Sequence, residues 1–70
     1  TTSVKEEFKL NPREKEVVQY LVDGLPYKQI ADKMNITYAT VRFHMKNIYS
    51  KLHVASMTEV VAKVIKHNLL

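Results

Sequence analysis

Three residues, Asn35-Ile36-Thr37, separate two stretches of helical period, and so short a connection leaves the chain around it little choice. Before it, Ile30, Ala31 and Met34 recur at the spacing of one helix face, with Lys28, Gln29, Asp32 and Lys33 on the other. After it, Val41, Met45, Ile48 and Leu52 fall on one side of a longer helix predicted over residues 37–52. Asn35 tolerates the left-handed backbone that stops a helix, and Ile36 plugs the turn. Thr37 then caps the next helix. Both apolar faces must close on one core, and Ala31 is small where the two helices cross. Short helix, tight turn and longer helix make a helix-turn-helix.

The far side of the longer helix carries Ala39, Phe43, Lys46, Asn47 and Ser50, flanked by Arg42 and Tyr49. A lone Phe among cations, amides and small residues adds nothing to a core. Such a face suits a negatively charged groove. The DNA major groove admits one helix and offers acceptors at guanine, an acceptor and donor pair at adenine, and a methyl at thymine. Arg42 and Lys46, one turn apart, suit guanine edges or a phosphate, and Phe43 between them suits thymine methyls. Asn47, deeper in the helix, suits a phosphate better than adenine. Thr40 lies near the helix start, where hydroxyl and backbone N–H groups favour phosphate oxygens. Lys28 and Lys51 are placed for backbone contacts outside the groove. Each of these cations also has an ordinary reading as solvated surface. His44 leans toward the core edge and reads as a packed structural residue, while Tyr38 and Tyr49 border both faces.

Charge follows the same geography. The net charge is +4, but residues 1–25 hold four bases against five acids, residues 26–55 five against one, and residues 56–70 two against one. The excess is concentrated around the predicted reading helix, where it favours a polyanion through counterion release.

Two more helices complete the chain. Asn11, Pro12 and Glu14 form an N-terminal signal of cap, first-turn proline and capping-box acid, with Leu10 able to staple onto Val17 or Val18. Val17, Val18 and Leu21 make the stripe, with Val22 beside it. Glu14 shares that side, which places it near the core and within reach of a base from the reading helix, Lys51 being the candidate. Gly24 ends this helix with a left-handed residue, and Leu25 makes the accompanying contact. Pro26 presets the first turn of the following short helix. After a connection at 53–55, Ser56 and Glu59 form a second capping box. Met57, Val60, Val61 and Val64 make the last core stripe. A second stripe of Thr58, Ala62, Ile65 and Leu69 implies a partner, most simply the same helix of a second copy. The alternative is that Ile65 and Leu69 close over the first helix of their own domain. The expected fold is all-α, four helices over residues 10–70, preceded by a polar linker or arm at 1–9 in which Phe8 packs at most partly.

Several function classes lack their chemistry. There is no Cys, and His44, His53 and His67 are not spaced to put two ligands on one helix face, so neither disulfide nor metal is expected. No nucleophile–base pair, phosphate loop or carboxylate dyad suggests an enzyme, and no cofactor is implied. No apolar run approaches the ~20 residues of a membrane span, and no signal peptide appears, which fits a cytoplasmic protein. A first residue of Thr rather than Met points to a piece of a longer chain.

The residues L-N-P-R-E-K-E-V-V at 10–18, G-L-P-Y-K-Q-I-A at 24–31 and I-T-Y-A-T-V-R-F-H-M-K-N-I-Y-S-K-L at 36–52 closely resemble the LuxR/NarL/FixJ-type helix-turn-helix domain. The resemblance runs from Leu10 to Leu70. It implies the C-terminal effector domain of a bacterial response regulator or quorum-sensing receptor, with the third helix in the major groove of double-stranded DNA. It further implies a homodimer through the fourth helix and, in a full-length chain, an N-terminal receiver. In NarL-like members bases are read from positions matching Arg42, Phe43 and Lys46. Asn11 stands where Thr or Ser is usual, Pro26 for Ser, Met57 for Arg and Asn68 for Gly. The Met57 departure removes a cation near the DNA, so that position is left out of the contacts. A helical protein-interaction module using the third and fourth helices is the competing expectation.

Overall fold

The structure, a computed structural model, describes residues 9–70. Phe8 and nearly all of the 1–9 arm lie outside the described residues. Four helices follow in order: α1 (Pro12–Val22), α2 (Tyr27–Met34), α3 (Tyr38–Leu52) and α4 (Met57–His67), with no strand among the described residues. α3 packs against each of the other three, as does α1, so these two form the centre of the domain.

Three of the four helices start at a side-chain cap. The Asn11 side chain accepts from Glu14 N–H at 2.8 Å, and Glu14 Oε1 accepts in return from Asn11 N–H at 3.0 Å. Ser56 and Glu59 repeat the reciprocal pair at the start of α4. Thr37 accepts from Thr40 N–H at 3.1 Å. Pro26 is the capping residue of α2 rather than its first helical residue, and it has no side-chain hydrogen bond to offer.

The core is a continuous aliphatic cluster. Leu10, Val17, Val18 and Leu21 come from the α1 region, Ile30, Ala31 and Met34 from α2, Val41, Met45, Ile48 and Leu52 from α3, and Val60 and Val64 from α4. All four inward residues of α3 are essentially inaccessible. Fully burying one such aliphatic side chain contributes roughly 1.5–3 kcal/mol, so four of them anchor α3 firmly.

Two sequence expectations fail here. The sequence period puts Met57 on the core stripe of α4, but it stands at the first helical position with its side chain exposed. The same period puts Leu69 on the outer, partner-facing stripe, but it is only 5% exposed and belongs to the core of its own domain. α4 ends at His67, and Asn68 is left-handed at φ 52°, so Leu69 no longer follows the helical period. Its amide returns to the carbonyl of Val64 at 3.1 Å, which folds the side chain inward. Ile65 is 66% exposed, so the alternative of both residues closing over α1 does not hold for it.

Candidate nucleic-acid interface

The buried side of α3 determines what its other side shows. With Val41, Met45, Ile48 and Leu52 inward, Ala39, Arg42, Phe43, Lys46 and Ser50 are exposed, and Thr40, Asn47 and Tyr49 are half-buried. Phe43 is 60% exposed, its ring tilted against His44 with centroids 6.0 Å apart. Arg42 and Lys46 flank it, and no described carboxylate pairs with either. Together with Tyr27, Ala39, Met45 and Tyr49 they line a shallow concavity, with the buried Met45 at its floor. The surface thus presents an aromatic ring between two cations that no described acid neutralises, on a rigid helix.

The N-terminal end of α3 is joined to α2 through aromatic side chains. Tyr27 and Tyr38 rings lie 6.0 Å apart at 52°. Burial, followed by a hydrogen bond with Tyr49, pushes the Tyr27 phenol well above its ordinary value. Tyr27 thereby ties the start of α2 to Tyr38 at the start of α3 and to Tyr49 near its end. No periodicity argument singled it out, because its partners come from another helix. A second groove runs alongside, lined by Pro26, Tyr27, Lys28, Gln29, Asp32, Tyr38 and Met57, and it carries the exposed Lys28.

Two expected contacts have prior engagements. The Thr40 hydroxyl lies 2.9 Å from that of Thr37, so it helps close the helix start. Lys51 Nζ sits 2.7 Å from Oε1 of Glu14, the pairing anticipated from the position of Glu14 on the apolar stripe. Glu14 is 1% exposed, and the Lys51 charge is largely consumed in compensating it. Arg42, Lys46 and Lys28, like Lys33 at the far end of α2, have no carboxylate partner among the described residues. One anchor was not anticipated. Lys63 of α4 donates from Nζ to the carbonyl oxygen of Leu52 at 2.8 Å.

On α4, Thr58, Ala62 and Ile65 are exposed on the side away from Val60 and Val64. No group of three or more His, Cys, Asp or Glu among the described residues is arranged to hold a metal ion, and no described helix is long and apolar enough to cross a membrane.

Comparison with known proteins gives a consistent picture. The family described as bacterial regulatory proteins, luxR family, matches residues 9–64. The nitrate/nitrite response regulator protein NarL of Escherichia coli (strain K12) is 34% identical over 58 residues, covering 83% of this chain and 27% of that protein. Fimbriae Z protein of the same strain is 44% identical over 52 residues, covering 74% and 25%. Response regulator protein VraR of Staphylococcus aureus (strain NCTC 8325 / PS 47) is 38% identical over 61 residues, covering 87% and 29%. The chain therefore spans between 25% and 29% of the length of these relatives.

Proposed function

The chain belongs to the luxR family of bacterial regulatory proteins, and from that premise we propose that α3 enters the major groove with Arg42, Phe43 and Lys46 reading base edges. The domain is a DNA-binding effector domain of a transcriptional regulator, and the family is one of regulators rather than enzymes. The observation that carries the assignment of readers is Phe43, 60% exposed between two cations that no described acid neutralises. Arg42 and Lys46 donate to guanine acceptors, and Phe43 packs on thymine methyls. Lys28 and Asn47 hold phosphates at the groove edges, while Thr40, engaged with Thr37 through both its amide and its hydroxyl, adds little. Lys51 adds little to this set while Glu14 holds it.

The domain binds operator half-sites as a dimer through the outer face of α4, which sets two reading helices about one turn of DNA apart. Two of the named relatives are response regulators, each far longer than this chain. A receiver preceding this domain, phosphorylated to release or align it in the cytoplasm, fits that comparison.

Selection of a preferred duplex from random DNA, followed by a salt titration on it, tests the reading. Affinity falls with a slope of about −0.9 in log–log terms for each phosphate neutralised. Arg42→Ala and Lys46→Ala each cost about 1–3 kcal/mol on the selected duplex and leave the helical circular dichroism intact. Undiminished affinity in both variants removes the assignment of readers. Binding that holds or tightens with salt favours a protein-interaction module instead.

A further inference from the structure

The last turn of α3 is held by two other helices at consecutive residues. Lys51 Nζ is fastened to Glu14 Oε1 of α1 at 2.7 Å. The carbonyl of Leu52, the final residue of α3, accepts from Lys63 Nζ of α4 at 2.8 Å. Carbonyls in a last turn have no partner within the helix, and a cation there also meets the negative end of its dipole.

We propose that Lys63 is a positioning residue for base reading, fixing with the Glu14–Lys51 pair the rotation of α3 about its own axis. The proposal rests on the DNA-reading function above. Burial fixes which face of α3 turns inward but leaves small rotations about its axis cheap, because apolar attraction has no direction. The inward face includes the unbranched Met45, which adapts to small shifts. Hydrogen bonds do have direction. Two of them, from α1 and α4 to consecutive residues of the last turn of α3, add the directional restraint that apolar packing lacks. A few degrees at the last turn carry through the rigid helix to Arg42, Phe43 and Lys46, whose contacts with base edges demand close geometry. Phosphate contacts, made by flexible side chains over a wider area, tolerate the same rotation. Loss of the Lys63 anchor should therefore weaken discrimination between sequences far more than it weakens overall attraction to DNA.

The test compares wild type, Lys63→Met, Lys63→Arg and Lys66→Met on the duplex selected by wild type and on a scrambled duplex of equal length. Lys66 is the exposed cation next along α4 and controls for lost charge. Lys63→Met lowers the ratio of the two affinities about tenfold. Lys63→Arg restores it, and Lys66→Met moves both affinities together. A ratio unchanged in Lys63→Met, or lowered equally by Lys66→Met, overturns the proposal. Should Lys63→Met fail to fold, Lys63→Gln carries the same comparison. A wild-type chain that prefers no duplex at all defeats the DNA-reading function itself, and this proposal with it.

Discussion

Glu14 has two duties, and the second makes it a stability element as well as a cap. Its Oε1 accepts from the Asn11 amide and from the Lys51 ammonium while the side chain is almost wholly out of water. A buried carboxylate that loses its cation keeps its desolvation cost, whereas an exposed one does not. The contrast can be measured within α1, because Arg13 and Glu16 form an exposed pair at 3.3 Å. Lys51→Met is expected to destabilise the fold by about 2 kcal/mol. Arg13→Met, which removes the same charge, is expected to cost at most about 0.5 kcal/mol. Urea midpoints of the two variants decide it, and equal losses would show that Lys51 does not stabilise Glu14. The long-range pair was legible in the sequence because an acid on an apolar stripe needs a base, and the reading helix ends with one. Lys63 on Leu52 was not legible. Nothing in the spacing of α4 tells which carbonyl its lysines will meet, since that depends on how α3 and α4 cross.

The four helices end in one shared way, and this explains the element that was misread. Gly24, Asn35, His53 and Asn68 are all left-handed, with φ of 90°, 56°, 57° and 52°. The amide of the next residue in each case bonds back five positions: Leu25 to Tyr20, Ile36 to Ala31, Val54 to Tyr49 and Leu69 to Val64. This closes the final carbonyls and folds an aliphatic residue onto the core, the Schellman arrangement. The arrangement is legible in the sequence at Gly24-Leu25 and Asn35-Ile36, where a new helix visibly follows. At Asn68-Leu69 the helical period, continued two residues past the end of α4 at His67, puts Leu69 on the outer face instead. Met57 fails for a related reason at the other end, since the first residue after the Ser56 cap precedes the turns that face the core. Leu69→Ala is expected to cost about 2–4 kcal/mol. Ile65→Ala, at 66% exposure, should stay within about 0.5 kcal/mol. Thermal melts of the two separate a core residue from a surface one. Similar values would mean that Leu69 is not part of the core.

At the scale of the whole molecule, moving Leu69 inward changes what the proposed dimer can be. The outer face of α4 is reduced to Thr58, Ala62 and Ile65, with the half-exposed Leu70 near its end. Three or four small and medium side chains cannot approach the ~800 Å² per partner of a stable free association. Two copies held on adjacent half-sites do not need that area, because the DNA has already fixed their distance and orientation. The free chain is therefore expected to sediment as a monomer at micromolar concentration and to pair on a duplex carrying two half-sites. A two-fold axis through this face sets Ile65 near its own copy. Ile65→Glu then brings two carboxylates together at the centre of the contact, while the reading face on α3 is untouched. Binding to a single half-site should be unchanged, and the cooperative gain on two half-sites should fall by roughly 5- to 150-fold, the usual range of such coupling. Titration of one-site and two-site duplexes with both proteins gives the answer. A two-site affinity that survives Ile65→Glu rules out α4 as the contact. A stable dimer of the free wild-type chain would show that a larger surface than this face holds the copies together.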